Sequence, residues 1–507
     1  MPDTCSHIIL IIPRAQSRSQ FLRRIKSVNR LQTLVTIGAL SKYLDESKCN
    51  NARELGLMNR FVRALGHGNL CLAAVRFVHY QSLMENTMRS FWSLIVTLLF
   101  ATACTVNPVT GEREFTVLSP QQEIAMGEQN YQPYQQSQGG PYAVDPNLSA
   151  YVNQVGQKLA RVSDNPSLPY EFVVLNNDVP NAWALPGGKI ALNRGLLIHL
   201  DDEAQLAAVL GHEIVHAAAR HSAQQMTQGA LLGLGVAVLG GVSQGSEYGG
   251  LINQGAGIGA AAWQARYGRD KELQADEFGM NYMTKAGYDP QAAVELQQTF
   301  VRLSEGRQTD FISGLFASHP PSQARVEANK RHAQSLTGNT RNRAAYQQAV
   351  SQLTQDKEAY TLHEQAIKTA NDKNYAEALN LVDKAIAIQD RENHFWETKG
   401  RLQAVQENFD GAAVSFGRAI DVNRQYFLPF MLRGSVYMQQ EKYSQAESDL
   451  SRGHQLLPTQ EGSFMLGRVS LRLNKRQEAI QYFRAAAQGG GEVGQAATQE
   501  LQQLGAL

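Results

Sequence analysis

Residues 212–216 read His-Glu-Ile-Val-His. Positions four apart on a helix share one face, so His212 and His216 can aim two imidazoles at one point. Paired imidazoles at that spacing suit a single Zn²⁺, and Glu213, beside the first of them, is placed to act as general base on a water in the same space. The bland alternative is a core helix with two satisfied histidines. Two ligands do not complete a zinc site. One class of zinc protease adds a glycine and a third histidine three and six residues later, but here those positions are Ala219 and Ser222, and His221 is out of phase. The remaining solution is a carboxylate from a second helix. The segment Arg269-Asp270-Lys271-Glu272-Leu273-Gln274-Ala275-Asp276 carries Glu272 and Asp276 four apart. Glu272 is the expected third ligand, and Asp276 the acceptor that fixes a ligand imidazole in one tautomer. One Zn²⁺ per chain is expected, with a fourth position open to water.

The flanking elements follow from pattern and punctuation. A helix is expected over 203–226 after the Asp201/Asp202 cap. Ser119-Pro120-Gln121-Gln122 reads as an N-cap, a proline at the first helical position and a capping-box glutamine. Leu148, Val152, Val155 and Leu159 recur at helical spacing. Residues 170–175 form a β-rich run, and 181–185 and 189–192, separated by Pro186-Gly187-Gly188, read as a hairpin. Residues 229–259 hold 11 glycines, too many for a regular surface helix, and their purpose is not legible.

The chain has 507 residues, 43% apolar and 18% charged, with a formal charge of +1, which gives no reason to expect nucleic acid as the main partner. Residues 1–87 are basic (12 Lys/Arg against 5 Asp/Glu) and 104–507 acidic (34 against 41). All four cysteines lie at or before Cys104, so neither disulfides nor a thiol nucleophile serve the region beyond it. From Met88 one arginine, an apolar run over 91–100 and Ala101-Thr102-Ala103-Cys104 read as an export signal. A cysteine after small residues is similar to a bacterial lipobox, making Cys104 the expected lipidation site. Translation is then expected to begin at Met88 or Met84, leaving 1–87 without a stable fold.

A 34-residue period begins near Lys357. Tyr375, Phe409 and Tyr443 keep that spacing, as do Ala378, Ala412 and Ala446, and Gly400 with Gly434. Small residues at this period mark paired helices stacked as tetratricopeptide repeats, a surface that binds peptides or proteins. The expected organisation is a polar tether at 104–141, a zinc peptidase domain at 142–340, a linker at 341–356, and about four repeats plus a capping helix at 357–507.

The 181–325 segment resembles the zinc peptidases that include HtpX and the CaaX prenyl protease. The resemblance is carried by Asn181-Ala182-Trp183-Ala184-Leu185-Pro186-Gly187-Gly188, Gly195-Leu196-Leu197, the His212–His216 motif with Arg220-His221, Glu272 with Asp276, Ala286-Gly287-Tyr288-Asp289-Pro290 and Ser318-His319-Pro320. It implies an α+β fold: a mainly helical, gluzincin-type metallopeptidase domain with a small sheet, here followed by an α-solenoid of tetratricopeptide repeats. It also implies a zinc metalloendopeptidase in which His319 is either a catalytic helper that stabilises the developing oxyanion or a ligand that holds the enzyme latent, with Arg325 orienting that segment. An extended substrate is expected to add as a strand beside Asn181, Ala182, Trp183 and Ala184. The implied setting is the bacterial periplasm, at the outer membrane through a lipid on Cys104. The implied partners are misfolded envelope proteins and the outer-membrane barrel assembly machinery, reached through the repeats. The alternative is an assembly scaffold whose repeats dominate and whose zinc site is little used.

Overall fold

The computed structural model describes residues 104–228, 267–305 and 319–507, all within one compact unit. The expected extension at 1–87, the export signal at 88–103 and the glycine-rich 229–259 segment lie outside the described residues. No helix among the described residues is long and apolar enough to cross a membrane.

The small sheet has three strands, with Lys189–Asn193 (β5) between Glu171–Leu175 (β3) and Ala182–Leu185 (β4). β4 (Ala182–Leu185) and β5 (Lys189–Asn193) form the expected hairpin, antiparallel in the register Trp183 to Ala191. Its turn, Pro186–Gly188, holds Gly187 and Gly188 at φ +75° and +83°, where a side chain would be strained. β3 (Glu171–Leu175) joins β5 in parallel.

The sheet and helix α2 (Pro146–Ala160) close over α3 (Glu203–Ala218), every residue of which is buried. Asp202 caps α3 by accepting the Gln205 N–H at 3.0 Å. The expected single helix over 203–226 is interrupted: Arg220 adopts φ +60°, the chain turns, and helix resumes at 221–228. α4 (Arg269–Lys285) packs across α3 at a crossing of two glycines. A Cβ on Gly211 would sit 2.8 Å from the Gly279 carbonyl oxygen, and one on Gly279 would sit 2.8 Å from the His212 nitrogen. Only residues without a side chain let these backbones approach so closely, and that approach brings the carboxylates of α4 to the histidines of α3. Helix α5 (Gln291–Glu305) packs on α3, and α6 (Gln323–Ala333) packs on both α5 and α4.

The 104–141 segment is built into the domain, unlike the expected tether. β1 (Cys104–Val106) pairs with β2 (Arg113–Phe115), and α1 (Pro120–Ser137) begins with the anticipated capping box between Ser119 and Gln122. The polar composition conceals two aromatics: Tyr131 and Tyr134 pack edge-on against Trp183, at centroid distances of 6.1 and 4.6 Å. The Arg220 guanidinium ties both elements to the end of α3, pairing with Glu123 and donating to the Leu118 carbonyl at 2.8 Å and to Thr105 at 2.5 Å.

The 341–356 stretch is likewise not a free linker. Its two short helices, Arg343–Ala349 and Ser351–Gln355, bury Tyr346, whose hydroxyl donates to the Leu197 carbonyl at 2.6 Å. Arg341 pairs with Asp202, Asp289 and Glu295 at 3.2, 2.9 and 2.6 Å.

Beyond it run four helix pairs from Lys357–Asn371 with Tyr375–Ile388 to Gln460–Arg472 with Arg476–Ala487, closed by Gly491–Gln503. This is the repeat solenoid that the 34-residue period calls for. Its first repeats are joined to the preceding domain through Glu392. That fully buried carboxylate accepts from Asn176 at 2.6 Å, from the Tyr360 hydroxyl at 2.9 Å and from the His394 N–H at 3.0 Å. The Arg194 guanidinium lies over the Tyr360 ring at 3.7 Å and donates to Asn176.

Candidate metal centre

His212 and His216 project from one turn of α3, their Nε2 atoms 3.0 Å apart. Glu272 on α4 reaches both: Oε1 is 3.4 Å from His216 Nε2, and Oε2 is 3.6 Å from His212 Nε2. Ligand bonds of about 2.0–2.2 Å in a tetrahedron separate donor atoms by roughly 3.4 Å, so these three edges match the spacing that one small divalent ion imposes. Two Nε2 atoms turned toward each other and toward a carboxylate are also poorly matched as hydrogen-bond partners alone. The donor set therefore fits a metal. His319 stands at the remaining corner, with Nδ1 3.3 Å from His212 Nε2 and 3.0 Å from Glu272 Oε1. Donor atoms from these four buried side chains lie within 4.8 Å of one another.

Each of the two α3 imidazoles is held from behind, by different means. His212 Nδ1 is 3.0 Å from Asp276 Oδ1, as α4's four-residue spacing anticipated. Asp276 is in turn gripped by Arg325, through Nε to Oδ2 and Nη2 to Oδ1, both 2.7 Å. Arg325 Nη1 also lies 2.9 Å from Glu272 Oε2, so one guanidinium faces two buried carboxylates. His216 Nδ1 instead meets His221 Nδ1 at 2.9 Å, and His221 Nε2 meets Gln274 Oε1 at 2.6 Å. The Tyr267 ring stacks on His216 at 4.0 Å, and its hydroxyl pairs with Ser222 at 2.8 Å. The roles of His221, Gln274 and Tyr267 escape a helical-phase reading, because the left-handed turn at Arg220 returns His221 beneath His216.

The electrostatics follow from burial and neighbours. Burial alone would raise Glu272, but His319, His216 and His212 outweigh it and hold the carboxyl well below the usual range. Burial likewise opposes ionisation of Asp276, and Arg325 outweighs it, leaving that group lowered. Burial pushes His216 well down and His221 down to about 4. For His319 the burial effect is overcome by Glu272 and Glu213, which raise it.

Glu213 is also buried, and burial raises its carboxyl. Its Oε1 lies 3.6 Å from His319 Nε2, while Oε2 has no hydrogen-bond partner. A buried carboxylate oxygen without a partner is costly unless something occupies the space before it. That space opens on a cavity of about 40 Å³ walled by Val209, Met280, Ala293, Leu296 and Phe300, with Gln297 Oε1 also lacking a partner.

Asn181, Ala182, Trp183 and Ala184 are not part of the cluster. Asn181 leads into β4, an edge strand of the sheet that packs on α3, and the other three lie within it. The Asn193 N–H donates to the Asn181 carbonyl at 2.9 Å, so by antiparallel alternation the backbone groups of Ala182 and Ala184 face away from β5. Cys104 is the first residue of β1, opposite Phe115.

Residues 146–333 match Peptidase family M48. The donor set above lies within this matched stretch, which the repeat solenoid follows. Among named relatives, the chain is 30% identical over 234 residues to the beta-barrel assembly-enhancing protease of Yersinia pestis, covering 45% of this chain and 47% of that one. It is 31% identical over 225 residues to the mitochondrial metalloendopeptidase OMA1 of Schizosaccharomyces pombe, covering 43% of this chain and 63% of that one. The chain thus spans about half the length of the beta-barrel assembly-enhancing proteases it matches. Among solved structures, MamA from Desulfovibrio magneticus RS-1 shares 16% identity over 29% of this chain and 82% of its own, at a TM-score of 0.25.

Proposed function

We propose that the protein is a zinc-dependent endopeptidase of the bacterial cell envelope that acts on misfolded or misassembled proteins, with its repeats docking clients or the outer-membrane barrel assembly machinery. The observation that carries this reading is the convergence of His212, His216 and Glu272 on one point, with Glu213 beside it and its Oε2 without a partner. Those three side chains would hold a zinc ion, which would supply Lewis acidity to the scissile carbonyl and the attacking water. Glu213 takes the proton from that water and delivers it to the leaving amine, a role suited to a carboxyl raised by burial. His319 is within reach to stabilise the developing oxyanion. The same residue supports a second reading, because its Nδ1 stands at the fourth corner of the donor set, where it would hold the enzyme latent until the 319–322 segment moves.

The outward backbone groups of β4 suit an extended peptide added as a strand, which tolerates many sequences. The cavity beside Glu213 suits a medium-sized apolar side chain next to the scissile bond. A periplasmic setting accords with the likeness to bacterial assembly-enhancing proteases, and a lipid on Cys104 would fix the domain to the outer membrane.

The test is Glu213→Gln in the full chain. It is expected to keep zinc and to lose casein-type proteolysis by about 10²–10⁴-fold, the usual worth of a general base. Stripping the metal with a chelator is expected to abolish cleavage, and adding zinc to restore it. Retained cleavage by Glu213→Gln would overturn the hydrolytic role and leave the scaffold reading.

A further inference from the structure

We infer that His221 and Gln274 form a neutral hydrogen-bond relay that orients His216 and sets how tightly the metal is held, an inference that rests on the metallopeptidase reading above. The protons are assigned by the contacts. His216 Nε2 faces His212 and Glu272, so as a ligand it carries no proton there and bears it on Nδ1. That Nδ1–H can only donate to His221 Nδ1, 2.9 Å away, which must then be the bare nitrogen of a neutral ring. The proton of His221 therefore sits on Nε2 and is donated to Gln274 Oε1 at 2.6 Å. With the amide turned the other way, its NH₂ would drive the proton of His221 onto Nδ1, against that of His216. The amide oxygen thus sets the direction of the whole chain.

A charged partner in place of this relay would be unfavourable. Glu213, Glu272 and Asp276 already crowd one buried space, and among the described residues Arg325 is the one guanidinium ion-paired to this carboxylate group. Another carboxylate behind His216 would add a fourth buried anion there. A neutral imidazole and amide hold the ring by dipoles alone. His212, backed by Asp276 and Arg325, and His216, backed by His221 and Gln274, are thus unequal ligands by construction.

The experiment measures zinc affinity of the full chain by competition with a chromophoric chelator, alongside thermal stability of the metal-free forms. His221→Phe keeps the ring but removes the acceptor, and is expected to weaken zinc binding by about 10–100-fold, the usual worth of a group that orients a ligand. His221→Asn returns an amide oxygen near the position of Nδ1 and is expected to recover most of that loss. His221→Gln, whose amide lies nearer the position of Nε2, is expected to behave like the phenylalanine variant. A role in packing alone predicts the reverse order, with phenylalanine the mildest. Gln274→Leu, outside the core, is expected to weaken zinc binding less than His221→Phe and carries the test if the His221 variants do not fold. In ¹⁵N-histidine spectra of the zinc form, His216 is expected to be protonated on Nδ1 and His221 on Nε2. Affinity within twofold of wild type for His221→Phe or, where that does not fold, for Gln274→Leu, an asparagine variant no better than phenylalanine, or the opposite tautomers would overturn the relay while leaving the metal site standing. A wild-type chain that binds no zinc would overturn both.

Discussion

The region of the candidate metal centre and the repeat region are held together in opposite ways. In the repeats, close contacts recur at a fixed short offset: a Cβ on Gly400, Gly434 or Gly467 would strike Phe416, Leu450 or Phe483, in each case 16 residues later and 2.6 Å away. Around the metal site the decisive contacts join distant segments, with His212 meeting Asp276 across 64 residues and His319 across 107. A surface built by stacking needs only local agreement between neighbours. A reactive site needs several buried charges at once, and these tolerate burial only as a mutually compensating set.

If that contrast holds, damage should spread in one region and stay local in the other. The largest effect is expected from Arg325→Leu, which leaves Asp276 and Glu272 buried without their guanidinium. Urea denaturation should register a loss of about 3–5 kcal/mol. Adding Asp276→Asn should recover part of it, giving a coupling of about 0.5–3 kcal/mol; strict additivity would break the comparison. Next come Gly400→Leu and Gly467→Leu, each expected to cost about 1–3 kcal/mol by overpacking. Lying two repeats apart, they should add to within about 0.5 kcal/mol and leave zinc affinity unchanged. The smallest effect is expected at a helix cap. Thr459→Ala, which removes the acceptor for Gly462 N–H at 2.9 Å, should cost about 1 kcal/mol. Asp202→Ala should cost more, because Asp202 is fully buried and also pairs with Arg341.

The same contrast governs what the sequence reveals. His212, His216, Glu272 and Asp276 are legible because each pair obeys the four-residue helical period, and the solenoid is legible because its period repeats. The capping box at Ser119 and the turn at Gly187 are legible because local geometry demands those residue types. Beyond reach is whatever depends on one exceptional backbone position or on contacts between distant segments. His221 looks idle until Arg220 is seen to leave the helix. The 104–141 segment reads as a tether because its polar residues outnumber Tyr131 and Tyr134, which matter only once Trp183 lies opposite them. The parallel pairing of β3 with β5 has no local signature, since the two strands are not consecutive along the chain.

Arg220 has one further consequence. It is a clasp: the residue that follows the helix carrying His212 and His216 also fastens β1 and the stretch after β2, through Thr105, Thr116 and Leu118, as well as Glu123. A protease nick that released everything before Pro120 would take three of those four partners with it, leaving an interior cation with a single anion for company. Trimming the front end of this domain is therefore not a cosmetic shortening, since it loosens the fastening one residue away from His221.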